Sequence, residues 1–224
     1  MRPFYQLCHI ILRIFLKLYC RMKTVGVENV PWQGGVIIAS NHIGGGDPPF
    51  IGGGIMRESY FLAKKELFRN FLLRALIKNL NAIPVDRSVL DHRAMQAAEK
   101  ALRAGNVLIL FPEGTRSRTG NLGKGKPGVG LLARRAGVPI VPAHIENSRG
   151  FLKLPFSRRR LIIKYGSPLS VDWVASFPES KEGFRRMADE LMGYIKALGE
   201  EGKPDSGAIS RPVAEQRPHE KPFA

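Results

Sequence analysis

The chain has 224 residues, 44% of them hydrophobic, enough for one packed globular domain with at most a small appendage. A formal net charge of +16 points to an anionic partner, whether nucleic acid, acidic lipid headgroups or a phosphorylated or acidic-protein substrate, without choosing among them. Cys8 and Cys20 would be separated by about 18 Å on one helix, beyond disulfide reach, and no Cys/His grouping has zinc spacing, so reduced thiols and no metal site are expected.

Residues 1–22 place Arg2, Gln6, His9, Arg13, Lys17 and Arg21 at alternating spacings of three and four, one narrow polar stripe along a helix whose remaining perimeter is apolar. Arg13 and Lys17 interrupt the segment, so it falls short of the roughly 18 uncharged apolar residues of a membrane span. The expectation is an amphipathic helix in a membrane interface, its basic stripe toward headgroups and Phe4, Leu7, Ile11, Phe15 and Leu18 in the acyl boundary. A helix packed on the domain is the alternative. A signal peptide fits less well, because charge recurs inside the apolar stretch and no small-residue cleavage site comes after it.

The first strand-like run, 35–40, leads into Ser40-Asn41-His42-Ile43-Gly44-Gly45-Gly46-Asp47-Pro48-Pro49. An imidazole, with an unperturbed pKa of about 6.5, is a near-neutral base, and a carboxylate on the same loop can hold one ring nitrogen while the other accepts a proton. The three glycines let the backbone fold back. A His and an Asp five positions apart also occur by chance, so the pair gains weight only if a second polar cluster occupies the same structural slot.

A strand at 59–63, a helix at 66–80, a short strand at Ala82–Val85 and a helix at 88–104 come next. The run 106–111 then leads into Pro112-Glu113-Gly114-Thr115-Arg116-Ser117, a second polar cluster beyond a strand end. Reactive groups of α/β proteins lie beyond the carboxyl ends of the strands, so two such loops imply one cleft. A helix at 127–137, strands at 138–145 and 159–165 and a helix at 180–198 complete an alternation that argues for an α/β sheet covered on both faces. From Gly199 the composition shifts to Glu, Lys, Pro, Gly and Ser, and residues 199–224 are expected to be a disordered tail. The expected organisation is 1–22 interfacial helix, 23–198 catalytic domain and 199–224 tail.

Other motifs weigh less. Gly123, Gly125 and Gly128 spell a dinucleotide-type glycine pattern, but the preceding residues are polar rather than strand-like, and no glycine run ends as a nucleotide P-loop does. Ser40, Ser117 and Ser148 lie in no nucleophile elbow, which disfavours a covalent serine mechanism. His92 adjoins Asp91 on an expected helix, where neighbours in sequence do not face each other.

Residues 38–49 resemble the first motif of the glycerolipid acyltransferases, the 1-acylglycerol-3-phosphate O-acyltransferase (lysophosphatidate acyltransferase) family, in which Asn-His is followed by four residues and Asp. Ala82 to Arg87 is similar to the second motif, Phe111 to Ser117 to the third at every position, and Leu122, Lys126 and Gly128 to a lysine-bearing block after it. Val138 to Ala143 resembles the fourth, a strand flanked by prolines, so the blocks run in order from about residue 23 to 170. Two departures stand out. Ile-Gly-Gly-Gly occupies the positions between His42 and Asp47 that usually include a serine and bulky apolar residues, and Gly125 replaces a common phenylalanine. Both remove side chains that could line an acyl or acceptor pocket.

The resemblance implies a mixed, mostly parallel sheet flanked by helices and transfer of a fatty acyl group from a thioester, acyl-CoA or acyl carrier protein, to the sn-2 hydroxyl of 1-acylglycerol 3-phosphate. His42 is the expected base, Asp47 its orienting acid, and backbone N–H groups of Gly44 to Gly46 the expected oxyanion donors. Arg87 and Arg116, with Lys126 as a supporting charge, are the expected phosphate ligands. Glu113 is expected to fix the acceptor's glycerol or lock an arginine, with Gly114 and Thr115 completing the turn. The acyl donor is a co-substrate, and no resident cofactor is expected. Expected partners are membrane lipid, an acyl thioester and an acidic acyl carrier protein, at the cytoplasmic face of a membrane. Rival readings are the same chemistry on another lysolipid or on glycerol 3-phosphate, and a non-catalytic basic module binding membrane or nucleic acid. No nucleic-acid reading motif or stacking platform is visible.

Overall fold

The computed structural model describes residues 2–86, 89, 91–117 and 119–201. Seven strands among them form one sheet: β1 (Lys23–Val25), β2 (Val36–Ser40), β3 (Ser59–Lys64), β4 (Ala82–Val85), β5 (Val107–Leu110), β6 (Ile140–Glu146) and β7 (Ile162–Tyr165). Their order is β1-β7-β6-β2-β5-β3-β4, and every neighbouring pair is parallel except β6 and β7. This is the mixed, mostly parallel sheet implied by the motifs. The helices are α1 (Pro3–Leu18), α2 (Asp47–Gly54), α3 (Phe71–Asn79), α4 (His92–Arg103), α5 (Gly128–Ala136), α6 (Val171–Ala175) and α7 (Lys181–Glu200).

Successive strand side chains point to opposite faces, so one apolar run feeds two cores. Ile37, Leu108 and Ile140 join Leu102, Leu132, Leu191 and Ile195 from α4, α5 and α7. Val36, Ile38, Ile109 and Val141 join Leu16 from α1 and Phe50 and Ile51 from α2 on the other face. Both faces are therefore closed, and polar chemistry is confined to the sheet's ends.

β1 and α6 are absent from the sequence reading, and three further elements depart from it. The helix expected over 66–80 is divided: a 3-10 turn at Lys65–Phe68 precedes α3, whose start is set by Asn70, its side chain accepting from Leu73 N at 2.9 Å. α2 forms in a segment read as loop, because Pro48 and Pro49 suit a helix's first turn and Gly53 lets α1 approach. A Cβ on Gly53 would lie 2.6 Å from Leu16 Cδ1. α7 runs past the expected boundary to Glu200, and the expected tail from 202 onward lies outside the described residues.

The orientation of α1 corrects the expected one. His9 and Arg13 of its polar stripe face the protein, whereas Gln6 and Lys17 are exposed. His9 Nε2 contacts the carbonyls of Gly52 and Ile55 at 3.2 and 3.0 Å, and Arg13 donates to those of Gly53 and Ile55 at 3.0 and 3.3 Å. These are carbonyls at the end of α2 that no further helical turn can satisfy. Arg2 reaches Glu58, Asn81 and the carbonyl of Asn79 at the end of α3. Burial pushes the His9 imidazole below its ordinary value, partly offset by the two carbonyls it contacts. Phe4, Leu7, Ile10, Ile11, Ile14 and Leu18 are left exposed on the outer face, while Phe15 turns in to stack on Tyr19 at 4.9 Å.

Candidate active site

The chain leaves β2 for α2 on one side of the sheet, and β5 and β6 flank β2, so the loops after all three strands meet at their carboxyl ends. His42 stands two residues past β2, and Asp47 is the first residue of α2. The His42 Nδ1–H donates to Asp47 Oδ2 at 2.7 Å, with both side chains buried. The same oxygen accepts from Ile43 N at 2.7 Å and Gly44 N at 2.8 Å. Three donors fix the carboxylate's position, and among the described residues the imidazole Nε2 has no protein hydrogen bond.

The loop after β5 completes the setting. Phe111 stacks on the His42 ring, centroids 4.1 Å apart and planes 21° apart, which limits ring tilt. Ser117 N donates to the His42 carbonyl at 2.8 Å. Glu113 is buried, and its two oxygens accept from His42 N at 3.2 Å and Gly123 N at 2.9 Å. Its carboxylate therefore ties three loop segments together, a structural role beyond the two expected from sequence, fixing the acceptor's glycerol or locking an arginine. Gly114 has φ +72°, a left-handed conformation that favours glycine, and the end of the Lys126 side chain lies where a Cβ would stand. Asn41 clamps the end of β6, donating to the Ile145 carbonyl at 3.0 Å and accepting from Ile145 N at 2.8 Å.

A cavity of about 640 Å³ opens beside the dyad, lined among others by Gly44, Gly45, Lys64, Thr115, Arg116 and Arg149. Three cationic side chains around one hollow suit a phosphate-bearing ligand. A second cavity of about 250 Å³, mostly apolar with Leu62, Met95, Leu110 and Leu132 in its wall, meets the first at Thr115 and carries Gly114 and Lys126 on its rim.

Of the residues singled out from sequence, the structure brings His42, Asp47, Glu113, Gly114, Thr115 and Arg116 to one end of the sheet, with Lys126 lying over Gly114. Arg87 lies outside the described residues. The expected oxyanion donors are reduced by one, because the Gly44 N–H is occupied by Asp47. Sequence reasoning missed Lys64 and Arg149, yet each obeys the strand-end rule: Lys64 closes β3, and Arg149 stands three residues past β6. Among the described residues no three His, Cys, Asp or Glu side chains gather as a metal site.

Comparison with known proteins agrees with this geometry. Residues 21–146 match the acyltransferase family model. The chain is 32% identical over 195 residues to the 1-acyl-sn-glycerol-3-phosphate acyltransferase of Bacillus subtilis (strain 168), covering 87% of this chain and 96% of that protein. The Borreliella burgdorferi protein of the same name is 32% identical over 135 residues, 58% of this chain and 53% of the relative. The crystal structure of the 1-acyl-sn-glycerophosphate acyltransferase PlsC from Thermotoga maritima superposes with a TM-score of 0.67 at 26% identity, covering 89% of this chain and 83% of that one.

Proposed function

This chain belongs to the acyltransferase family as an O-acyltransferase, and on that premise we propose that it transfers a fatty acyl group from a thioester to the sn-2 hydroxyl of 1-acylglycerol 3-phosphate, giving phosphatidic acid. The observation that carries this reading is the buried His42–Asp47 pair, on the loop whose Gly44 and Gly45 line a hollow shared with Lys64, Arg116 and Arg149. His42 Nε2 takes the acceptor hydroxyl proton as its oxygen attacks the thioester carbonyl carbon. Asp47 keeps the Nδ1 proton in place and stabilises the imidazolium. The tetrahedral intermediate collapses, the carbon–sulfur bond breaks, and the leaving thiolate takes the proton from His42.

Both substrates are bound together, so no acyl-enzyme forms. The N–H groups of Gly45 and Gly46 are the remaining backbone donors for the oxyanion, since that of Gly44 is committed. Arg116, Lys64 and Arg149 bind the acceptor phosphate, and the adjoining apolar cavity accommodates part of an acyl chain. Thiol release needs no resident cofactor, and the donor is acyl-CoA or acyl carrier protein, both anionic and both attracted by the chain's +16 charge.

The same reading places the protein on a membrane. No helix among the described residues is long and apolar enough to cross one. Besides the exposed apolar face of α1, Phe71, Leu72 and Leu76 of α3 are exposed, and Arg2 ties the start of α1 to the end of α3. Such a face lies in the interface of an anionic bilayer, on its cytoplasmic side, where Cys8 and Cys20 stay reduced.

The test is direct. Purified protein, a radiolabelled acyl thioester in CoA and carrier-protein forms, lysophosphatidate and detergent micelles are incubated together, with glycerol 3-phosphate and neutral lysolipids as alternative acceptors. The reading predicts diacyl product and free thiol in equal amounts with lysophosphatidate. Product with another acceptor alone would reassign the substrate, and thiol release without acylated lipid would contradict transfer.

A further inference from the structure

Two buried side-chain oxygens among the described residues have no hydrogen-bond partner, Asp47 Oδ1 and Ser148 Oγ, and they converge on one point. A Cβ built on Gly44 would stand 2.9 Å from Ser148 Oγ and 3.0 Å from Asp47 Oδ1. The asymmetry at Asp47 is pronounced: Oδ2 accepts three hydrogen bonds, and Oδ1, equally charged and equally removed from solvent, accepts none. An ionised carboxylate can accept at both oxygens, and a serine hydroxyl rotates freely to donate. A buried acceptor and a buried donor left unpaired on either side of one point are costly, whereas a side-chain turn that pairs them removes both deficits at once.

The chain around Ser148 is already tied to the segment that carries the dyad. Asn41 clamps Ile145 with two hydrogen bonds, and the Arg149 Nε–H donates to the Ile43 carbonyl at 3.3 Å. Ser148 sits between these ties, 1% exposed, at the wall of the larger cavity. We propose that Ser148 is a positioning residue of this active site, its hydroxyl donating to Asp47 Oδ1 so that the carboxylate is held through both oxygens and cannot swing Oδ2 off the imidazole. The space between the two oxygens exists because residue 44 has no side chain. Ser148 is thus a second anchor for the acid, delivered from the loop after β6, and not a nucleophile. Its kinetic consequence rests on the acyl-transfer reading proposed for this site.

Three variants of the full chain test this: Ser148→Ala, Ser148→Ala/Gly44→Ser and Ser148→Ala/Gly44→Ala. The serine at 44 grows a hydroxyl from the point that touches Asp47 Oδ1, and the alanine at 44 grows only a methyl there. In the transfer assay, Ser148→Ala is expected to lower kcat about tenfold with acceptor KM held within about twofold, the loss of one hydrogen bond to a charged group. Gly44→Ser in that background should recover most of kcat, and Gly44→Ala should not. Melting temperatures should fall and recover in the same order, a readout that needs no turnover. If the wild-type protein transfers no acyl group, the functional reading fails and the melting order alone judges the hydrogen bond. Should Ser148→Ala not fold, Gly44→Ala in the wild-type background, whose methyl wedges between the oxygens, must lower kcat at constant KM. An unchanged kcat in Ser148→Ala, equal recovery by the two Gly44 changes, an unchanged kcat in Gly44→Ala where that variant stands in, or, without turnover, a Ser148→Ala protein that melts with the wild type overturns the proposal.

Discussion

At the scale of single residues, the site separates side chains on the cavity wall from those that hold the loops. Arg116 is exposed on that wall, and the phosphate-binding role proposed for it predicts that Arg116→Ala raises the acceptor KM about tenfold or more while changing kcat little, as steady-state kinetics on lysophosphatidate would record. Glu113 instead commits both oxygens to backbone N–H groups, so Glu113→Ala leaves two donors unpaired and should cost about 1–3 kcal/mol of unfolding free energy in urea titrations. The sequence made His42, Asp47 and the Glu113–Arg116 turn legible because each pair of partners lies within a few positions on one loop. Ser148, Lys64 and Arg149 were not legible by that route. They reach the site through strand pairing, which short spacing does not encode, although their positions past β6 and at the end of β3 carry the same strand-end signal.

At the scale of elements, α1 is a polar clip as well as an apolar surface. Amphipathic periodicity identified the helix but not which side turns inward, because that depends on what the neighbouring element needs. α2 ends against α1 with unsatisfied carbonyls, and His9 and Arg13 satisfy them. The His9 imidazole is held below its ordinary value of about 6.5, so the unfolded chain binds its proton at a higher pH than the folded one. The stability this group contributes is fully present above about pH 6.5 and is lost as pH falls through that value toward the lowered one. Melting temperatures measured from pH 7.5 to 5.5 should therefore fall less steeply for His9→Gln than for the wild type. Equal slopes would show that His9 does not couple folding to pH. α2 itself escaped the sequence reading because glycine-rich segments have low intrinsic helix propensity. Close approaches account for the small residues there: a Cβ would meet Ser59 Oγ at Gly52, Leu16 at Gly53 and the Tyr165 hydroxyl at Gly54.

At the scale of the whole molecule, a closed α/β sheet leaves its chemistry at one end and an apolar skin on α1 and α3. Fold class and order of elements were legible in the alternating apolar runs, since strands buried on both faces must be apolar throughout and the helices between them amphipathic. Membrane binding is separable from catalysis: Ile10→Glu/Ile14→Glu, on the exposed face of α1, should lower partition into anionic vesicles by about tenfold or more in sedimentation assays, with the circular dichroism spectrum retained. The proposed mechanism requires that one imidazole nitrogen of His42, with the other held by Asp47, take the acceptor's proton. Turnover of radiolabelled acyl thioester with lysophosphatidate by purified His42→Ala protein, shown by its melting to be a folded domain, tests this without intermediaries. The expected kcat is lowered by about 10²-fold or more. Turnover at the wild-type rate would contradict the assignment of His42 as the base.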